Sequence, residues 1–357
     1  MRQRITPVKF TVILVTYRRW HFLKTCLREI FFQLKTRNDW EILVIVNGED
    51  HKTSLGLKSE FSQVNVLHTP TVSPAQARNI LIKKARGEYL CFLDDDSMPG
   101  KNYFKMALDF ISSAPRVDVF GGPDTVFPDA SWFEKVVGMT LLSPMATATT
   151  CLRHSIKKQY IVKEGNEEKL ILCNLWIKKN IFHKDGYLFD KRFFRNEENI
   201  LLWHLQKAGK IIKYLPFFYV YHRRKKNLFS VGLAVIGSGR NRLKGFFLYP
   251  GSLGLVYFIP MLFVLYLNIL PWMDSSVFLW PIVIYIVLLI FFAGKITLQH
   301  GRPVFFPHVV FMQFVININY GWAFWMEFFF QVYRKLHKQI FKTYKKQKKT
   351  AESNLIV

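Results

Sequence analysis

Tyr89-Leu90-Cys91-Phe92-Leu93-Asp94-Asp95-Asp96-Ser97-Met98-Pro99-Gly100 is an apolar run that ends in three carboxylates and then in chain-breaking residues. A buried strand that delivers carboxylates to its C-terminal tip is where open α/β sheets place ligands, so this stretch decides both the fold and the centre of chemistry. Carboxylates packed this closely repel one another unless a cation neutralises them. A hard divalent ion such as Mg²⁺ or Mn²⁺, which keeps part of its water and also grips a diphosphate, suits the triplet.

Outward from that strand, residues 10 to 122 alternate β-rich runs with helical patterns. Strands are expected over Phe10–Val15, Glu41–Val46, Val64–His68, Tyr89–Leu93 and Val117–Phe120, with helices over Trp20–Leu34 and Pro74–Ala85. This βαβ order predicts an α/β fold, a mostly parallel sheet with helices on both faces. The stretch from 123 to 190 shows no clear periodicity. We expect residues 1–122 to bind a nucleotide and 123–244 to bind an acceptor.

The net charge of +25 in 357 residues is extreme, yet half the chain is hydrophobic, which excludes disorder as its cause. The mixture suits an anionic membrane surface or an anionic substrate. Basic residues cluster beside apolar segments without a recognition module, so nucleic acid is not the expected partner. Cys26, Cys91, Cys151 and Cys173 lack paired spacing and read as reduced packing residues. No secretory signal is evident after Arg2, Arg4 and Lys9.

No charged residue occurs from Gly245 to Met273 or from Ser275 to Gly294. Each run suffices to cross the hydrocarbon core, so spans are expected at about 253–272 and 276–294 within a membrane region 245–333. The linker Leu270–Ser276 has no Lys or Arg, whereas Lys295 and Arg302 follow the second span and a basic block precedes the first. The positive-inside rule puts the N-terminal domain in the cytoplasm of a multi-pass protein of the cytoplasmic (inner) membrane. The segment 304–332 contains His308, Gln313, Asn317, Asn319 and Glu327, so a re-entrant or interfacial helix is favoured, with a third crossing as the alternative. The basic tail 334–357 is then expected on the cytoplasmic leaflet.

Several blocks, in order, resemble family 2 glycosyltransferases of the GT-A fold. They are Val12-Ile13-Leu14-Val15-Thr16-Tyr17-Arg18-Arg19; Ala77-Arg78-Asn79; Ala85-Arg86-Gly87-Glu88-Tyr89 with Leu93-Asp94-Asp95-Asp96; Asp185-Gly186-Tyr187-Leu188-Phe189-Asp190; and Asn196-Glu197-Glu198. Gly237-Ser238-Gly239-Arg240-Asn241-Arg242 is similar to a Gly-Arg-Gly-Arg segment of succinoglycan-type exopolysaccharide enzymes. The resemblance implies an inverting transferase that moves a sugar from a nucleotide-diphosphate sugar to a glycan acceptor linked to polyprenyl diphosphate, in surface polysaccharide assembly. A silent membrane-anchored scaffold is the alternative. A processive polymerase is disfavoured, because no clear Gln-x-x-Arg-Trp motif is present. Val46 stands where the family usually carries a carboxylate in its base-contacting strand, and Glu198 where it carries an aspartate.

By the same resemblance Thr16, Tyr17, Arg18, Asn47 and Arg78 bind donor, Asp94 contacts the ribose or diphosphate with Asp95 in support, and Asp96 holds the metal. His222 matches a metal-side histidine, or merely flanks the basic run Arg223–Lys226. Glu197 and Glu198 open an amphipathic helix, Ile200–Ala208, with Glu198 as general base and Glu197 orienting the acceptor; helix-dipole capping is the ordinary explanation for such a pair. Arg240 and Arg242, expected in a glycine-flanked turn, either grip a diphosphate or anchor the chain by charge.

Overall fold

The computed structural model describes residues 7–354, with side chains to Gln339. Among the described residues, eleven strands form two sheets. In chain order they are β1 (Phe10–Thr16), β2 (Trp40–Asn47), β3 (Asn65–Thr69), β4 (Tyr89–Asp94), β5 (Ser97–Pro99), β6 (Val119–Gly121), β7 (Asp124–Thr125), β8 (Lys163–Glu164), β9 (Leu175–Lys178), β10 (Ile212–Tyr214) and β11 (Val220–His222). The large sheet has the order β3-β2-β1-β4-β9-β6-β10-β8, and the small one β5-β11-β7.

β3, β2, β1 and β4 are parallel, with Val12 between Ile42 and Cys91 and Val15 beside Asp94. Alternation of side chains sends Val12, Leu14, Val44 and Cys91 to one face and Ile13, Leu43, Ile45 and Leu90 to the other. The Trp20–Leu34 and Tyr103–Ser113 helices cover the first face; the Pro74–Lys84, Lys179–His183 and Glu197–Lys207 helices cover the second. Both faces are thus dry, which is why these strands read as unbroken apolar runs.

The expected strands and the first two helices are present. β9 was not legible: it enters antiparallel between β4 and β6, with Trp176 against Cys91 and Phe120. Its Leu175-Trp176-Ile177 is buried on both sides and too short to show a period. At the following crossing the backbones nearly touch: a Cβ on Gly122 would lie 1.8 Å from the Phe218 carbonyl oxygen. Only glycine fits there.

The chain divides into two compact units. The first runs to Ser230 and takes in Val283–Phe314; the second comprises Val231–Ile282 and the chain from Val315. Within the first, the Trp132 ring meets Phe305 edge-on at 4.5 Å, and Ser143 Oγ donates to Gln313 Oε1 at 3.1 Å. These contacts tie the Trp132–Leu141 helix and the loop after it to the apolar segment 283–314.

Three segments, Leu255–Trp272, Ser276–Gln299 and Pro303–Gln339, are helical, long and apolar enough to cross a membrane. The region 304–332 lies almost wholly in one unbroken helix, Phe306–Asn354, and contains no re-entrant turn. Its polar residues find partners: Gln313 at Ser143, Asn319 at the Val315 carbonyl, and Glu327 at Arg240 and Gln331. The lysines of the tail from Lys342 onward lie beyond the described side chains. Arg240 and Arg242 are not in a turn; they sit on the Leu228–Leu248 helix. Gly239 serves close helix approach instead, since a Cβ there would come within 2.8 Å of Ala323 Cβ.

Candidate active site

The parallel pairing of β1 with β4 sets Thr16 beside the carboxylate triplet, and its Oγ1 donates to Asp95 Oδ2 at 2.8 Å. Arg19, at the turn after β1, pairs through Nη2 with Asp95 Oδ1 at 2.8 Å and also with Asp96 Oδ2. Sequence reasoning passed over Arg19 as a site residue. Burial lifts the Asp95 carboxyl to about 7 against the pull of Arg19, and the Asp96 charge adds to the rise. Asp95 is therefore a support buried under the site, and the more open Asp94 and Asp96 face outward.

The small sheet completes the centre. β5 follows the triplet and pairs antiparallel with β11, placing His222 opposite Ser97. His222 Nε2 consequently lies 3.3 Å from Asp96 Oδ1 and 4.0 Å from Asp94 Oδ2. Burial opposes a charged imidazole, yet Cys173, Asp96 and Asp124 hold the His222 pKa well above the ordinary histidine value. Burial likewise opposes ionisation of Asp96, but His222 and Arg19 hold its pKa well below the usual range.

Two carboxylates within 4.0 Å of one imidazole nitrogen offer oxygen and nitrogen donors that suit Mg²⁺ or Mn²⁺. Asp94, Cys173 and His222 also offer atoms within 4.8 Å of one another. Asp96 fits better than Cys173, because burial pushes the Cys173 thiol up to about 12 and its sulfur faces His222 Nδ1, at 3.7 Å, rather than Nε2.

Behind His222, Asp124 is fully buried and engaged on every side. Its Oδ2 accepts from His222 Nδ1 at 2.7 Å, and Arg224 forks onto both oxygens at 2.7 Å. His154 Nδ1 meets Oδ1 at 2.5 Å. Burial disfavours the charge, but Arg224 and His154 keep the Asp124 pKa well below the usual carboxylate range. None of Asp124, His154 and Arg224 was singled out from sequence, since residues 123 to 190 carry no period and β7 is two residues long.

Arg78 joins the two halves of the site. Its Nη2 donates to Asp94 Oδ1 at 3.0 Å and its Nη1 to Glu197 Oε1 at 2.5 Å. Helix Glu197–Lys207 starts earlier than expected, with Asn196 in the left-handed region at φ 59°, so both glutamates occupy its first turn. Glu198 instead faces Arg153 Nη1 at 3.4 Å, and Arg153 is anchored by Asn199 and the Glu168 carbonyl. Burial raises the Glu197 carboxyl to about 7; Arg78 lowers it and Glu198 raises it further.

Just past β1, Tyr17 is exposed, with the Arg18 guanidinium 5.4 Å above its ring. Beside them a cleft of about 530 Å³ is lined by Arg18, Arg19, Trp20, Glu49, Asp50 and His51. The Asn47 amide is occupied: it bonds both the N–H and the carbonyl of Val72 at 2.9 Å, which pins the loop after β3. Arg240 and Arg242 belong to the second compact unit, where Arg240 Nε pairs with Glu327 at 3.1 Å and Arg242 lies over Tyr257 at 4.5 Å.

The profile described as "Glycosyl transferase family 2" matches residues 11–186. An uncharacterized glycosyltransferase of Rickettsia conorii is 29% identical over 112 residues, covering 31% of this chain and 18% of the relative. The Staphylococcus aureus poly(ribitol-phosphate) beta-N-acetylglucosaminyltransferase TarS is 27% identical over 108 residues, 29% of this chain and 19% of the relative. The chain thus spans less than a fifth of the length of these curated relatives. Among solved structures, TarS 1-349 with UDP superimposes with a TM-score of 0.47 at 15% identity, over 89% of this chain and 92% of the other. A Pyrobaculum calidifontis mannosyltransferase, PcManGT, in complex with GDP-Man and Mn²⁺, gives 0.48 at 12% identity, over 85% and 73%.

Proposed function

We propose that the chain, whose residues 11–186 match glycosyl transferase family 2, is a metal-dependent, inverting transferase acting from a nucleotide-diphosphate sugar. Enzymatic activity follows from that match and is favoured over the silent scaffold. The observation that carries the finer reading is the approach of Asp94 and Asp96 to His222 Nε2, with Arg78 bridging Asp94 to Glu197.

In this reading Asp96, His222 and Asp94 hold Mg²⁺ or Mn²⁺, which supplies charge neutralisation for the departing diphosphate. Arg19 and Arg78 keep the surplus carboxylate charge balanced and the aspartates in place. Tyr17 and Arg18 flank the cleft that takes the nucleotide. Glu198 removes the acceptor proton, while Glu197 is clamped by Arg78 and orients the acceptor. A direct displacement of this kind inverts the anomeric centre.

One observation favours exchanging the two glutamates. Glu197 titrates near 7, where a general base works best, and is linked to Asp94.

We further propose a polyprenyl-diphosphate-linked glycan as acceptor and a place in surface polysaccharide assembly at the cytoplasmic membrane. Three apolar helices and the basic flanks support the location. The decisive experiment is a screen of purified protein in detergent for metal-dependent hydrolysis of UDP- and GDP-sugars. Turnover of one donor, abolished by chelator, is the expected result; no hydrolysis of any donor in any metal overturns the reading.

Topology can be tested separately. A cysteine placed at Ser275 should react with an impermeant thiol reagent added to intact cells, while Cys26, Cys91 and Cys173 are buried and stay silent. Labelling of a cysteine placed at the exposed Lys101, rather than at Ser275, would reverse the orientation.

A further inference from the structure

We infer that Asp124 is the positioning residue of the metal site, acting through His222 to aim its Nε2 at Asp94 and Asp96. The inference rests on the metal-dependent reading above and assigns a role to a residue remote from substrate.

The argument begins with proton placement. Asp124 accepts from His222 Nδ1 at 2.7 Å, and a carboxylate that is ionised can only accept. The proton on Nδ1 is therefore fixed, and the lone pair of a neutral imidazole falls on Nε2. Nε2 lies 3.3 Å from Asp96 Oδ1. A cation that takes the place of the Nε2 proton meets the imidazole lone pair and Asp96 Oδ1 together, 3.3 Å apart. Histidine ligands whose other nitrogen donates to a carboxylate are a recurring way to fix ring orientation and raise ligand basicity.

What keeps Asp124 suited to this task is its surroundings. Arg224 forks onto both oxygens at 2.7 Å, so the buried charge is compensated without drawing on His222. His154 closes the Oδ1 side, and Cys173 Sγ lies 3.9 Å from Oδ2. These partners come from separate stretches: His154 ends the Ala148–His154 turn, Cys173 lies in Leu172–Asn174, and His222 and Arg224 end and follow β11. The pairing of β7 with β11, Val220 beside Asp124, brings the carboxylate under the ring. An aspartate needed only to offset Arg224 would not require the imidazole.

The test measures Mn²⁺ affinity of the full-length protein in detergent, without donor, from the EPR signal of free Mn²⁺. Wild type, Asp124→Asn, His222→Ala and the double variant are compared. Asp124→Asn should weaken binding about 10- to 100-fold, and the double variant should bind no more weakly than His222→Ala alone. Unchanged affinity in Asp124→Asn overturns the inference, as does an equal further loss in the His222→Ala background. If wild type binds no Mn²⁺, the metal-dependent reading falls and this inference with it.

Removing a buried charge beside Arg224 can prevent folding. A measurement on wild type therefore stands beside the variants. With Mg²⁺ bound and histidines labelled with ¹⁵N, the His222 resonances, identified by their loss in His222→Ala, should show the Nδ1–H tautomer. The Nε2–H tautomer overturns the inference.

Discussion

Asp96→Ala is expected to lower sugar transfer by on the order of 10³-fold, because several kcal/mol of transition-state charge stabilisation goes with the ligand. The protein should still fold. Asp96 sits on the turn after β4, partly open, and its removal takes one negative charge out of a crowded triplet. Arg19 retains Asp95 as partner. The measurement is turnover against Mg²⁺ and Mn²⁺ concentration, with circular dichroism as the folding control. Full activity of this variant in excess chelator would sink the metal assignment.

The second large effect concerns the adjacent glutamates. Glu198→Gln keeps the shape and removes the basicity, so turnover should fall by about 10² to 10⁴ while donor binding persists. Glu197→Gln should act mainly on acceptor affinity, because Arg78 keeps a neutral partner there. The pH profile separates the roles. Glu197 titrates near 7, above the ordinary glutamate range, so activity that needs it ionised rises as pH increases through 7. In Glu197→Gln that limb should vanish while turnover at high pH remains. A Glu197→Gln enzyme that is dead beside an active Glu198→Gln enzyme would make Glu197 the base; two active variants would remove acid–base chemistry from this pair.

What the sequence made legible follows from how locally each feature is encoded. β1, β2 and β4 are continuous apolar strands, and the Trp20–Leu34 helix has a sharp apolar stripe, so their positions and the carboxylate tip could be read directly. The imidazole beside the triplet came from resemblance. The residues that hold it did not, because the small sheet is assembled from strands of two and three residues about a hundred positions apart. No local period records such pairing. Arg240 and Arg242 show the opposite case: flanking glycines read locally as a turn, whereas Gly239 lets two helices approach. Arg153, which faces Glu198, lies in an irregular stretch with no pattern to announce it.

The Phe306–Asn354 helix has 49 residues without a break. At 1.5 Å per residue it is a rod of roughly 70 Å, more than twice the thickness of a hydrocarbon core. Were the helix to cross a bilayer upright, the passage would take roughly 20 residues and leave about 40 Å of rod clear of the lipid. The helix would then act as a stiff spacer: anything joined to its far end would be held at a set reach from the bilayer, not tethered loosely beside it.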